Sequence, residues 1–192
     1  MGVLGKRSNR PILDYDEPEL IDLSSKEKER PKRARNAEKH RELCLLGGKW
    51  LRKHKFNEGP ICTYSVVELV TVQLENPDVF GWDYWQTSLI EVKTSHADFK
   101  RDFKKKFKQE GYRGVGMYRY YLCPEGVIKP EELPEKWGLL YEKDGEITSI
   151  KVPEQFPNEE VNGMGQVTIL SSIMRRLGMY GKVYDFRKEK NK

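Results

Sequence analysis

Two acids and a lysine stand close enough in this sequence to form a reactive centre. Asp78 follows a proline at the start of one short apolar run, and Glu91 and Lys93 lie two positions apart in the next. Carboxylate oxygens suit Mg²⁺ and Mn²⁺, which proteins commonly hold with one or two carboxylates. A neighbouring ammonium can stabilise phosphate charge or orient an attacking water. The three residue types therefore suggest metal-assisted chemistry on a phosphate group.

Two predicted strands would bring these side chains together. A polar and aromatic turn separates the two apolar runs, which is typical of a hairpin or of adjacent strands. In the second run, period-two alternation places two aliphatic residues on one face, with Glu91 and Lys93 on the other. Asp78, brought alongside, would complete a cluster of two carboxylates and one ammonium.

Each residue also has an ordinary structural explanation. Asp78 could be a turn aspartate after proline. Glu91 and Lys93 could form an ion pair on a solvated sheet face. The three residues at this spacing, followed at once by a capped helix, favour a functional site over both explanations combined.

The same residues carry a resemblance to a known family. Pro77-Asp78 followed by Glu91-Val92-Lys93 resembles the PD-(D/E)XK motif of a nuclease superfamily. The stretch that continues to residue 104 is similar to the MmcB-like DNA-repair branch and to related bacterial and phage proteins. Together with the stretch from Gly116 to Tyr141, the resemblance extends over residues 60 to 145.

This resemblance implies an α/β fold, with a central mixed β-sheet flanked by helices as in restriction endonucleases. It also implies hydrolysis of DNA phosphodiester bonds with Mg²⁺ or Mn²⁺ as cofactor, in DNA repair, recombination or phage DNA processing. Asp78 and Glu91 would hold the metal, and Lys93 would orient water and stabilise the phosphate. All three are expected to be catalytic.

Glu68 is a fourth candidate. Ser65 can cap a helix that begins there, and we expect that helix to carry Glu68. In many members of the superfamily a glutamate on the helix before the first strand reaches the metal, so the resemblance implies a catalytic and metal-binding Glu68. An acid in an apolar run is costly unless it is paired or ligating. The alternative is a surface glutamate on the outer face of the helix.

A basic helix is predicted directly after the lysine of the motif. Its cap would be Ser95, and three phenylalanines at intervals of four residues would form its buried stripe. Six of the nine residues from Lys100 to Lys108 are basic, which favours contact with a nucleic-acid backbone over a merely soluble surface. The expected DNA-binding residues are Ser95, His96, Lys100, Arg101, Lys104, Lys105 and, from a later strand, Arg119. For His96 and Arg119 the alternatives are an exposed histidine and an arginine paired with a core carboxylate.

Five further elements complete the predicted domain. They are a helix over 36–53 capped by Asn36, a strand over 117–124, a hairpin of strands over 137–141 and 147–152, and an amphipathic helix over 166–177.

Length and charge bound the organisation of the chain. Its 192 residues are enough for one domain, while 37% hydrophobic and 34% charged residues indicate that part of the chain is a polar tail. We expect a disordered charged tail over 1–35, a single nuclease-like domain over 36–180 and a basic tail over 181–192. The net charge of +5 permits DNA as a partner without requiring it.

Three widely spaced cysteines without a CxxC pair fit a reducing compartment better than a disulfide framework. His40 and Cys44 share a helical face, but no second ligand pair accompanies them. We therefore expect a buried small residue beside a surface histidine rather than zinc. No apolar stretch has the length of a membrane span or a signal-peptide core, so a cytoplasmic protein without a membrane partner is expected.

A second class of function stays open. The chain could be a catalytically inactive DNA-binding module with the same fold. An enzyme of small phosphorylated metabolites is disfavoured, because the phosphate-cradling loop that such a site needs is not in the right place. The preferred DNA structure, endo- or exonucleolytic action, the number of metals and the oligomeric state, a homodimer included, are left open.

Overall fold

A six-stranded sheet forms the centre of the computed structural model, which describes residues 32–71, 76–102 and 113–179. The elements are α1 (Lys32–Lys53), β1 (Tyr64–Val67), β2 (Val79–Trp82), β3 (Thr87–Val92), α2 (His96–Asp102), β4 (Tyr118–Pro124), β5 (Gly138–Lys143), β6 (Glu146–Lys151) and α3 (Gly163–Arg176). Short 3₁₀ helices at Phe56–Glu58, Pro130–Glu132 and Asn158–Glu160 lie in the connections.

The sheet is mixed, and its strands lie in chain order from β1 to β6. The three central strands β3, β4 and β5 are parallel neighbours, whereas the remaining pairs are antiparallel. Parallel neighbours need a crossover connection, and α2 lies within the one between β3 and β4. The predicted α/β fold, a central mixed sheet flanked by helices, is confirmed.

The helices lie on both faces of the sheet. On one face, α1 packs against β1, β2, β3, β4 and β6, and its buried residues share a core with Ile90 and Val92 of β3. On the other, Phe99 of α2 and Ile169 of α3 share a core with Leu89 of β3. Because successive strand residues point to opposite faces, these two cores lie on opposite sides of the sheet.

Two glycines let α1 lie close to the sheet. A Cβ atom on Gly47 would lie 3.1 Å from Cδ2 of Leu122, and one on Gly48 would lie 3.0 Å from Cγ1 of Val67. Real Cβ atoms seldom come this close to a neighbour. The glycines lower the intrinsic stability of the helix, but they remove the side chains that would hold it away from the strands.

Two elements differ from the sequence predictions, one in where it begins and one in its type. The first helix begins at Lys32, so Asn36 lies inside it and is not its cap. The helix expected to start at Ser65 is wrong, because Ser65 lies in β1 and pairs with Gly81 of β2. The β-branched residues that follow Ser65 favour a strand, and the Ser65 hydroxyl donates to the Gly48 carbonyl at 2.8 Å instead of capping a helix.

The other predicted elements are present, and of the predicted basic helix the structure describes α2 to Asp102, while its expected continuation to Lys108 lies outside the described residues. The hairpin β2–β3, strand β4, the hairpin β5–β6 and helix α3 lie where the sequence placed them, within a few residues. The tails expected over 1–35 and 181–192 fall outside the described residues, except for 32–35 at the start of α1. Among the described helices, none is both long and apolar enough to cross a membrane.

Candidate active site

Asp78 lies immediately before β2, beside the end of β3. Val79 pairs with Ile90, so extending the antiparallel register by one residue brings Asp78 opposite Glu91. The Asp78 carboxylate accepts a hydrogen bond from the backbone N–H of Val92 at 2.8 Å. That bond holds the first acid against the segment that carries the second acid and the lysine.

The Lys93 ammonium lies between two buried carboxylates. Its Nζ atom is 3.0 Å from Oε2 of Glu91 and 3.5 Å from Oδ1 of Asp102. The Tyr121 hydroxyl donates to the other oxygen of Asp102 at 2.8 Å. Burial alone would lower the pKa of Lys93, but the charges of Glu91, Asp102 and Asp78 raise it above its ordinary value. The ammonium therefore stays charged.

The explanation of a solvated ion pair is wrong for Glu91 and Lys93. The two residues are only 6% and 5% exposed. Desolvating a carboxylate and an ammonium costs several kcal/mol per ion, by order of magnitude, unless each is well paired. The structure thus brings Asp78, Glu91 and Lys93 together in a partly desolvated cluster.

His40 joins this cluster from α1. Its Nε2 atom lies 3.4 Å from Oδ1 of Asp78, and its Nδ1 atom lies 3.7 Å from Oε1 of Glu68. The same Nδ1 is 3.5 Å from Sγ of Cys44, one helical turn away. Cys44 is buried and His40 is partly exposed, as expected, but the sequence did not predict that His40 contacts two acids.

Charge coupling between His40 and Asp78 shifts the pKa of both groups. Its hydrogen bond to Asp78, with the charges of Asp78 and Glu68, raises the pKa of His40 against the opposing effects of burial and Lys93. Burial would raise the pKa of Asp78, but the hydrogen bond and charge of His40, the charge of Lys93 and the Val92 N–H hold it below its ordinary range. Asp78 is therefore ionised at neutral pH.

Glu68 reaches the cluster from the end of a strand rather than from a helix. It follows β1 with φ of 49°, and its backbone N–H donates to the Asp78 carbonyl at 2.8 Å. One carboxylate oxygen lies near His40, and Arg41 donates to the other at 3.1 Å. The expected helical position is wrong, because Glu68 follows β1. Only its backbone contacts Asp78, while its carboxylate contacts His40 and Arg41.

The basic residues of α2 that the structure describes are bound to acids. His96 Nε2 and Lys100 Nζ both lie 2.9 Å from Oε1 of Glu132. Arg101 pairs with Asp98 at 3.0 Å. Hydrogen bonds from His96 and Lys100, and from the Lys129 backbone N–H, lower the pKa of Glu132 to about 2.

The start of α2 is capped as predicted. The Ser95 hydroxyl accepts a hydrogen bond from the Asp98 backbone N–H at 3.3 Å. Ser95 also lines an open groove of about 760 Å³ that runs from the turn after Lys93 to the loop over 126–132. The predicted DNA contacts Lys104 and Lys105 lie outside the described residues.

Arg119 has a structural role. It is 4% exposed, and its guanidinium donates to the carbonyls of Gly116, Gly114 and Glu160 at 2.9 to 3.1 Å. Its Cζ atom lies 3.9 Å from the centre of the Phe156 ring. A buried arginine held in this way is not a surface contact for DNA, and the expectation of one is corrected.

Comparison with known proteins leaves the activity open. No family model matches the sequence, and no curated protein is significantly similar to it. A solved structure of a protein of unknown function from Silicibacter pomeroyi is similar, with a TM-score of 0.44 and 21% identity over 64% of this chain and 85% of that chain. This likeness does not bear on function.

Proposed function

We propose that this protein is a metal-dependent nuclease that hydrolyses DNA phosphodiester bonds. The observation that carries the proposal is the hydrogen bond from the Val92 N–H to the Asp78 carboxylate. It ties Asp78 to the residue between Glu91 and Lys93, and so concentrates two acids and a lysine at the ends of two strands. The resemblance to PD-(D/E)XK nucleases, and the restriction-endonuclease-like detail of the fold, belong to the same proposal.

Asp78 and Glu91 supply the type of donor atom that supports Mg²⁺ or Mn²⁺ as the cofactor. Asp78 is held ionised, and its side chain is 23% exposed, so it is open to a cation from solvent. Asp78 and Glu91 would be the ligands, because hard carboxylate oxygens are what these ions prefer. When bound there, the ion would supply Lewis-acid stabilisation of phosphate charge and a more acidic water. Glu68 contacts His40 at the ring nitrogen opposite to Asp78, so it would act on this ion only through the charge of the imidazole.

Lys93 would act on the phosphate and on the water. Its charged ammonium is aimed by Glu91 and Asp102, which fix it from two sides. An ammonium held in a partly desolvated site stabilises developing negative charge more strongly than one in water. Asp102 and Tyr121 position Lys93 and need not touch substrate.

The groove that begins at Thr94, the residue after Lys93, is the path we propose for the DNA backbone. It is lined by Ser95 and His96 at the start of α2, and by the loop that contains Lys129 and Glu132. Lys100 and Arg101 lie on the same helix with more than half of each side chain exposed. Such basic side chains supply the sequence-independent part of DNA binding.

A cleavage assay tests the proposal. The purified full-length protein would be incubated with single-stranded, duplex and branched DNA in Mg²⁺ or Mn²⁺, beside Glu91→Ala and Lys93→Ala. Glu154→Ala and Lys49→Ala, at exposed positions away from the cluster, are the matched controls. We expect cleavage by the wild type and the controls, and loss of cleavage in the two site variants. Equal cleavage by all five proteins would show that a contaminating nuclease is responsible and would contradict the proposal.

A DNA-binding module without turnover is the second candidate. The observation that favours it is the mutual satisfaction of Glu91 and Lys93, whose charges are paired with each other and, for Lys93, with Asp102. A lysine held this firmly can serve as a structural ion pair. Tight binding of DNA by the wild type with no cleavage in either metal would favour this candidate.

A further inference from the structure

We infer that His40, Cys44 and Glu68 form a second metal site, one that takes a borderline-soft divalent ion such as Zn²⁺ or Co²⁺. The sequence alone offered only the pair on α1. The fold supplies the third ligand, because the end of β1 places Glu68 against that helix. The inference does not depend on DNA hydrolysis.

The His40–Cys44 separation matches that of two ligands on a tetrahedral ion, and Glu68 lies slightly farther from His40 than a bound ligand would. Nδ1 of His40 lies 3.5 Å from Sγ of Cys44 and 3.7 Å from Oε1 of Glu68, and the ligand atoms of all three residues lie within 4.8 Å of one another. With Zn–N of about 2.05 Å and Zn–S of about 2.3 Å, tetrahedral geometry separates N and S by about 3.5 Å. The His–Cys distance is already that of two ligands on one ion.

The other ring nitrogen of His40 is held as metal-bound histidines usually are. Nε2 lies 3.4 Å from Oδ1 of Asp78. A histidine that ligates through one nitrogen nearly always donates its other N–H to a carboxylate, a carbonyl or water, which fixes its tautomer and its orientation. In this chain that carboxylate is Asp78, so His40 presents Nδ1 to Cys44 and Glu68.

Glu68 is held in an uncommon backbone conformation that directs it to this site. Its φ of 49° is in the left-handed region, which a non-glycine residue occupies at a cost of about 1 kcal/mol or more. The hydrogen bond from its N–H to the Asp78 carbonyl holds the residue there. Such conformations persist where the surroundings over-determine them, and they concentrate at functional sites.

The ligand set selects the class of ion. A thiolate and an imidazole suit Zn²⁺, whereas Mg²⁺ prefers oxygen ligands only. Binding would release the Cys44 thiol proton to solvent as the sulfur–metal bond forms. Three protein ligands leave a fourth position for water or a substrate oxygen, as in catalytic rather than structural zinc sites.

Cobalt absorption tests the site without DNA. The reduced, chelator-stripped full-length protein would be titrated with Co²⁺ and followed by its thiolate-to-cobalt charge-transfer absorption. We expect a band that saturates at one equivalent, bleaches on addition of Zn²⁺ and withstands excess Mg²⁺. The band should disappear in Cys44→Ser and in His40→Ala. It should persist in Cys62→Ser, which changes another buried free cysteine.

His40→Ala keeps the test decisive if the buried Cys44→Ser variant does not fold, because His40 is partly exposed. Far-UV circular dichroism would check each variant for native structure. Absence of the band from the folded wild type would overturn the inference. So would a band that survives in folded His40→Ala, or that disappears in Cys62→Ser. The cobalt titration uses no DNA, so its result does not depend on whether the protein cleaves DNA. The nuclease proposal and the second metal site can therefore be overturned independently.

Discussion

Lys93 has two buried acidic partners, and this determines the cost of removing its charge. Lys93→Met keeps the aliphatic stem but leaves Glu91 and Asp102 without the ammonium between them. Breaking a buried ion pair from one side costs about 3–5 kcal/mol. We expect Lys93→Met to lower the free energy of unfolding by about 3 kcal/mol in urea denaturation.

A control for this variant is Lys143→Met, which removes a lysine that pairs with Glu125 at an exposed position. Exposed pairs contribute little, so the control should leave the urea midpoint nearly unchanged. If the control loses as much stability as Lys93→Met, the burial of the Lys93 ion pairs is not the cause of the loss.

The His40–Asp78 contact predicts a pH dependence of stability. A raised pKa in the folded state means that His40 contributes stability below its unfolded pKa of about 6.5, and that this contribution is lost as pH rises through the folded value. The lowered pKa of Asp78 works in the opposite sense, so its contribution is lost only as pH falls through the folded value.

The gap in unfolding free energy between wild type and His40→Gln should therefore be largest near about pH 5–6 and shrink toward about pH 9. The side chains of Asp78, Glu68 and Cys44 contact His40, and the charge of Lys93 acts on it without contact. Urea denaturation in the presence of a chelator measures the gap without metal. An equal difference in unfolding free energy at both ends of this pH range would contradict the conclusion that Asp78 raises the pKa of His40.

At the scale of elements, the close packing of α1 on the sheet holds His40 near Asp78. Valine at position 47 would press on Leu122 and Ile90, whose methyl groups would be 3.1 and 3.3 Å from its Cβ. Overpacking of this kind costs about 1–3 kcal/mol. We expect Gly47→Val to lower stability by about 2 kcal/mol, and Lys49→Val, on the exposed side of α1, by less than about 0.7 kcal/mol. Thermal or urea unfolding would compare them, and equal losses would contradict the packing.

Helix α2 and the loop over 130–132 are joined by Glu132, which binds both His96 and Lys100. Glu132→Gln would release these basic side chains to the solvent. We expect DNA to bind about two- to fivefold more tightly to this variant at low salt, the size of effect that exposed ion pairs produce. Fluorescence anisotropy with labelled duplex DNA measures the change.

Glu131→Gln is the matched control, because it makes the same change in net charge at the neighbouring exposed position. If both variants tighten binding equally, total charge and not the release of His96 and Lys100 is the cause. If neither does, α2 does not contact DNA.

Elements with a strong local pattern could be predicted from the sequence. From Ile90 to Lys93 aliphatic and charged residues alternate, so the sequence predicts that Glu91 and Lys93 share one face of the strand. The position of Asp78 opposite Glu91 comes from the pairing of β2 with β3, which the pattern alone does not give. The segment from Ser65 to Val67 could not be assigned in this way, because its β-branched residues and its cap signal pointed to different structures. This segment is a strand because it pairs with β2. That choice depends on a partner distant in sequence.

The part of the site that the sequence missed is the tertiary contact of α1. His40 and Cys44 were seen as neighbours on one helical face, but nothing local indicates that this face meets the ends of β1 and β2. The spacing of the pair was the available signal. Its third partner, Glu68, comes from 24 residues further along the chain than Cys44.

At the scale of the whole molecule, the candidate site collects groups from both faces of the sheet. His40 comes from α1 on one face, Asp102 from α2 on the other, and the acids of the motif from the strand ends between them. The fold thus places these acidic and basic side chains close together at one end of the sheet, next to α2. The net charge of +5, counted over the whole chain, permits a DNA partner without requiring one.

The rate of DNA cleavage under single-turnover conditions tests the central claim most directly. It would be measured in Mg²⁺ or Mn²⁺ for the wild type, for Asp78→Asn, and for Asp144→Asn, which makes the same change at an exposed turn. We expect Asp144→Asn to cleave like the wild type and Asp78→Asn to cleave at least about 100-fold more slowly, as when one group that stabilises the transition state is removed. Cleavage by Asp78→Asn at the wild-type rate would contradict a nuclease centre at Asp78.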